Sequence, residues 1–263
     1  MTRLATLLTV LIVALLTSCA TSKSARQDNG NTLEYALKGN GSPTIVFESG
    51  MGQSLDTWNK IFDSLSQHNR VYAYNRPGYS NSTNNKLPNS VQEVAQQLRE
   101  NLKKENIEPP YILVGHSLGG LFINMYARLY PDEVAGVVFI DASHPEQFEY
   151  FKNEQKLLYN MLISSTKMGK RQYEFDIITS ALSSFRGAPE FPNIPITVLT
   201  AGKKSSPLET QELREKWLEF QSDLVDLSSK SSQIIVEESG HYIHKKTPCL
   251  VISEILKLAS NQI

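Results

Sequence analysis

The residues with the clearest capacity for chemistry lie in the run Gly115-His116-Ser117-Leu118-Gly119-Gly120. Tyr111-Ile112-Leu113-Val114 leads in as a short apolar strand, and Leu121-Phe122-Ile123 leads out as a helix. A G-x-S-x-G pattern at a strand-to-helix turn forces the serine into a strained elbow that presents its hydroxyl. The glycines leave room where neighbouring backbone crowds. A glycine-rich turn capped by a serine is the bland alternative, and the flanking strand and helix weigh against it. A serine hydroxyl is a weak nucleophile, so Ser117 needs an adjacent base and a third group that orients the base.

Five histidines offer that base. His116 lies inside the elbow, where its side chain is expected to point away from the nucleophile. His68, in a polar loop beside Asn69, reads as solvated surface; His144 follows a strand end, and His244 sits one turn past His241. His241, in Ser239-Gly240-His241, falls between a strand at Gln233 to Val236 and the last helix. A base on that loop can swing over the carboxyl edge of a parallel sheet, where the elbow also lies. Asp141 closes the apolar run Val134 to Ile140 at the same edge. The order Ser117, Asp141, His241 is the expected nucleophile, acid, base order. A residue that only caps its own turn is the bland reading of Asp141, and Glu209, the first acid after the strand Ile196 to Thr200, is the alternative acid. Acyl transfer places negative charge on a carbonyl oxygen, which needs preorganised donors. The backbone N–H of Leu118 is one; the loop Glu48-Ser49-Gly50-Met51-Gly52 is expected to supply the other.

The elements that must position these residues alternate from residue 32 onward. Thr44 to Phe47 and Arg70 to Tyr74 read as strands, with a helix around Leu55 to Leu65 between them. Ser90-Val91-Gln92-Glu93 is a capping-box pattern that opens a helix to about Glu105. A third helix follows the elbow from Leu118 to Leu129. Val134 to Ile140 (VAGVVFI) is apolar without alternation, as in strands buried on both faces of a parallel sheet. The rhythm breaks between His144 and Pro195, an aromatic-rich stretch that reads as a mostly helical insertion between two late strands. It resumes with Ile196 to Thr200, an amphipathic helix near Leu208 to Leu227, and a closing helix with Thr247 as N-cap and Pro248 first. The expectation is an α/β domain over 32–263 with a doubly wound, mostly parallel sheet and a helical cap over about 144–195.

These features resemble the α/β-hydrolase fold family over about residues 32 to 260. GHSLGG is a frequent form of that family's nucleophile elbow, and Tyr74-Asn75-Arg76-Pro77-Gly78-Tyr79-Ser80 resembles its D-R-x-G-x-G-x-S loop, with Asn75 in place of Asp. The resemblance implies a base in the S-G-H loop and a second oxyanion donor at the N–H of Met51, although Ser49-Gly50 stands where His-Gly is usual. It also implies a cap at the insertion. The usual acid position, after Ile196 to Thr200, holds Ala201-Gly202-Lys203-Lys204-Ser205 and no carboxylate. Some members take the acid from the earlier strand, which favours Asp141. The implied activity is hydrolysis of carboxylic esters or related acyl substrates. An acyltransferase with the same triad, and a non-catalytic binding protein suggested by the Asn75 and Ser49 departures, are the alternatives. Ser117 in place of an aspartate weighs against the dehalogenase and epoxide-hydrolase branches.

The first residues are read apart from the fold. Arg3 and the uncharged stretch Leu4 to Leu16 suit a signal peptide over 1–18, shorter than the roughly 20 residues that span a bilayer. Leu16-Thr17-Ser18-Cys19 resembles a bacterial lipobox. This implies lipidation of Cys19, export, and anchoring to a cell-envelope membrane. Residues 19–31 read as a flexible tether reaching roughly 20 Å. Cys249, the only other cysteine, leaves no internal disulfide for the mature domain, and is expected as a small apolar helix residue. A net charge of −1 gives no electrostatic case for nucleic acid. No H-E-x-x-H, paired C-x-x-C or G-x-x-x-x-G-K-[ST] occurs, so neither a metal nor a cofactor is expected.

Overall fold

A computed structural model describes residues 22–166, 172–204 and 209–260, so the apolar leader and Cys19 lie outside the described residues. The strands among them are β1 (Ser24–Asp28), β2 (Asn31–Lys38), β3 (Thr44–Glu48), β4 (Val71–Tyr74), β5 (Tyr111–His116), β6 (Val134–Ile140), β7 (Ile196–Ala201) and β8 (Ser231–Val236). They form one sheet in the order β1-β2-β4-β3-β5-β6-β7-β8. The β1–β2 and β2–β4 pairs are antiparallel, and every later pair is parallel. Every residue of β3, β4 and β5 is buried, which is why their sequences run apolar without alternation.

A single helical turn (Leu55–Trp58) leads into α1 (Asn59–Leu65); α2 (Val91–Lys104) and α3 (Leu118–Leu129) follow. The insertion between β6 and β7 is helical as expected: α4 (Gln147–Glu154), α5 (Lys156–Thr166), α6 (Gln172–Thr179) and α7 (Ala181–Arg186). Beyond β7 come α8 (Gln211–Val225), α9 (Ile243–Lys246) and α10 (Pro248–Ser260). One face of the sheet is covered by α1 and α10 through Ile61, Phe62, Val251 and Ile255. The other is covered by α2, α3 and α8, with Leu98, Leu102, Phe122 and Leu224 in one core with the cap. The doubly wound reading therefore holds, and the carboxyl ends of β5, β6 and β7 open beneath the cap.

Four local expectations are corrected. Residues 19–31 are not a tether throughout, because Ser24–Asp28 pairs with β2 in register Asp28↔Asn31. Asn29 and Gly30 both take positive φ, 49° and 79°, the signature of a two-residue hairpin turn that Asn-Gly favours. Main-chain pairing orders β1 without any apolar periodicity, and Arg26 fastens it to Asn101 on α2 and to Glu105, the residue that follows α2. In the capping box, Ser90 Oγ accepts from Glu93 N at 3.2 Å, but Glu93 reaches the N–H of Asn89, not that of Ser90. Thr247 donates its hydroxyl back to Ile243 O at 3.1 Å, where it had been expected to cap α10. Cys249 does lie on α10 but is exposed, so it is no part of the core.

Candidate active site

The elbow is strained and held from three sides. Ser117 has φ 51° and ψ −121°, a region that costs a non-glycine residue about 1–3 kcal/mol. Its N–H donates to Ile140 O (3.1 Å), and its carbonyl accepts from Gly120 N and Ser143 N, both at 2.9 Å. The ends of β5 and β6 thus over-determine the turn. Glycine is required behind it, since a Cβ on Gly119 would lie 2.1 Å from Glu48 O, and one on Gly120 would lie 2.3 Å from Ala142 Cβ.

Asp141 sits one residue past β6, fully buried, with φ 42°. Its Oδ1 accepts from Ala201 N (3.0 Å) and from the indole Nε1 of Trp217 (2.9 Å). Its Oδ2 meets His241 Nδ1 at 2.6 Å. Both oxygens of this buried carboxylate thus have hydrogen-bond partners, as burial of a polar group requires. With Nδ1 so engaged, the Nε2 of His241 is left for other work. The structure therefore brings His241 to Asp141. Glu209 lines the cavity that Ser117 and His241 also line, 3.7 Å from the Arg214 guanidinium.

The other histidines separate cleanly. His116 lines the same cavity as Ser117, contrary to the expectation that it points away. Its Nε2–H donates to the backbone carbonyl of His241 (2.9 Å), and the two rings lie 4.6 Å apart. Burial, then the neighbouring His241, holds its pKa well below the usual histidine range, so it is neutral and braces the His241 loop. His244 is pushed down to about 3 by burial, with Nε2 2.9 Å from Thr57 Oγ1. His144 is lowered to about 4 by burial and stacks on Phe220. His68 is exposed.

Ser117 and His241 open onto a cavity of about 360 Å³. Met51 and Leu118 line it from the sheet domain, and Phe148, Phe151, Leu158, Leu162 and Ile178 line it from the cap. Leu118 begins α3, where the first-turn N–H groups lack intrahelical partners. Leu157 and Met161 face away, 76% and 46% exposed, so only one side of α5 serves the cavity. Both departures from the family pattern have structural work. Asn75 is buried, accepts from Leu55 N at 2.6 Å and donates to Glu34; Ser49 Oγ accepts from Trp58 Nε1 at 3.0 Å. Trp217 could not be picked out by sequence, because it reads only as one apolar position on an amphipathic helix.

A model of the alpha/beta hydrolase fold family matches residues 43–180, more than half of the chain. The chain belongs to the alpha/beta hydrolase fold family. Within that family, this hydrolase-fold chain is 25% identical over 218 residues to the uncharacterized protein YqjL of Bacillus subtilis, covering 81% of this chain and 82% of that protein. It is 28% identical over 122 residues to a 1-acylglycerol-3-phosphate O-acyltransferase of Rattus norvegicus, covering 44% of this chain and 35% of the acyltransferase. Several further relatives are matched over less than half of their own length. Among solved structures, the enol-lactonase of Burkholderia xenovorans superposes with a TM-score of 0.64 at 15% identity, covering 90% of this chain and all of that chain.

Proposed function

We propose that the protein is a cofactor-independent serine hydrolase of carboxylic esters or related acyl compounds. The observation that carries this reading is the 2.6 Å contact of His241 Nδ1 with buried Asp141, opening on the same cavity as strained Ser117. His241 Nε2 takes the Ser117 proton as Oγ attacks the substrate carbonyl. The N–H groups of Met51 and Leu118 receive the developing oxyanion. Collapse passes the proton from His241 to the leaving alcohol and leaves an acyl group on Ser117. Water deprotonated by His241 then releases the carboxylic acid and restores the serine, so the cycle consumes only acyl substrate and water. A fluorophosphonate probe is expected to label the protein covalently at Ser117. An unlabelled, folded protein would overturn the reading.

Acyl transfer is the second reading, supported by the name of the rat relative. An alcohol or amine acceptor would then replace water at the acyl-enzyme. Product analysis with glycerol-type and amine acceptors present decides between them, since a transferase yields the new ester or amide in preference to free acid.

The apolar cap wall supports a preference for a hydrophobic acyl or alcohol group of modest size. Phe151, 6% exposed and lining the cavity, is the most direct probe. Phe151→Ala should raise kcat/KM for octanoate over butyrate esters by about 10-fold or more, because filling or vacating one methylene-sized space in such a pocket is worth about 1–3 kcal/mol. An unchanged ratio across the series would remove the cap from substrate selection.

Lipidation of Cys19 and residence at a bacterial envelope membrane belong to the same proposal. With β1 beginning at Ser24, the segment after Cys19 spans at most roughly 17 Å when extended, so the lipid would hold the domain close to the bilayer. No helix among the described residues is long and apolar enough to cross a membrane. Cys19→Ser is expected to move the protein from the membrane pellet to the soluble fraction, or to arrest its maturation. A variant that matures and still pellets would exclude the lipid anchor.

A further inference from the structure

The loop that carries Met51 is not held by the sheet domain alone. Arg76, 3% exposed, follows β4 and reaches beneath this loop. Its Nη1 donates to Ser49 O at 2.6 Å and its Nη2 to Gly50 O at 2.9 Å. The same guanidinium is gripped by two buried carboxylates: Glu48 at the end of β3, and Glu174 on α6 of the cap, the latter at 2.7 Å. Glu174 has no exposed surface. Its second oxygen accepts from the Tyr79 hydroxyl at 2.5 Å, and that hydroxyl in turn accepts from Gly52 N at 3.0 Å. The residues on either side of Met51 are therefore fixed by one polar network, and a cap side chain closes it.

We infer that Glu174 is a positioning residue through which the docked cap sets the Met51 N–H for the oxyanion. The inference rests on the hydrolase reading and adds a consequence to it. An apolar cap wall needs only packing, whereas a fully buried carboxylate is placed where its partners are Arg76, Tyr79 and the loop backbone. A cap that lifts withdraws Glu174, and the loop loses the carboxylate that orients Arg76 and the hydroxyl bound to Gly52. Substrate that packs against the cap and holds it down thereby keeps the donor aligned, so cap contacts far from the scissile bond contribute to kcat as well as to binding.

The test uses the full chain and two readouts. Glu174→Gln conserves volume and leaves Glu48 and Arg76 as a charge-matched pair, so the fold is retained. Its kcat is expected to fall about 100-fold, the scale of losing one oxyanion donor, with KM changed less than about 3-fold. Amide hydrogen exchange over residues 49–53 should accelerate while β5 and α3 stay protected. Tyr79→Phe, which removes only the hydroxyl between Glu174 and Gly52, should give a smaller loss with the same sign in both readouts. Phe175→Ala loosens cap packing next door without removing a member of the network, and should accelerate exchange at 49–53 by less than Glu174→Gln does. Equal loop exchange in Glu174→Gln and wild type, or an acceleration by Phe175→Ala that matches or exceeds that of Glu174→Gln, would overturn the inference. Were the wild-type protein inert to esters and to the fluorophosphonate, the Ser117 reading would fall on that result, and the exchange measurement would still decide the role of Glu174.

Discussion

Ser117→Ala is expected to lower kcat by a factor of about a thousand or more while leaving far-UV circular dichroism and the unfolding midpoint close to wild type. The size follows from losing the nucleophile, after which only the oxyanion donors and substrate binding accelerate attack by water. Retention of the fold follows from the contacts of the elbow. The backbone of residue 117 is held by Ile140 O, Gly120 N and Ser143 N, and none of these uses the hydroxyl. Alanine at φ 51° carries the same strain as serine, so the substitution changes chemistry and little else. Ester turnover in the variant above about a thousandth of the wild-type rate would show that another group is the nucleophile.

The second large effect concerns Asp141. Its Oδ1 accepts from Ala201 N and Trp217 Nε1, while Oδ2 faces His241 Nδ1. In Asp141→Asn the two fixed donors hold the amide oxygen on their side, so the Nδ2 group is turned to His241. Nδ1 must then accept, the imidazole proton moves to Nε2, and no lone pair remains there for the Ser117 proton. The expected loss in kcat is about 10⁴-fold, the scale of such a tautomer reversal. Glu209→Gln should cost less than about 10-fold, because Glu209 sits beside Arg214 and the Nδ1 of His241 is already bound by Asp141. Equal, small losses in both variants would show that neither carboxylate orients the base.

Much of this arrangement is written in short stretches of chain. The elbow, the burial of β3 to β6 and the helical insertion depend on near neighbours: a G-x-S-x-G turn, unbroken apolar runs, and an aromatic-rich interval. Local sterics and burial periodicity dictate them, so they are legible without a structure. Even the hairpin at Asn29-Gly30, within the stretch that reads as a tether, carries a local turn signal.

What tertiary structure alone decided lies in contacts between segments far apart in the chain. The contact of His241 with Asp141 is one, because it depends on how the His241 loop returns over the ends of β6 and β7. The Trp217 indole beneath Asp141, the His116 brace on the His241 carbonyl, and Glu174 closing on Arg76 across 98 residues are others. In sequence, each reads as an ordinary tryptophan, an elbow neighbour, or one more acid on a cap helix. A buried polar group is defined by the partner that satisfies it, and the approach of that partner is set by sheet order and helix packing, which no local pattern encodes.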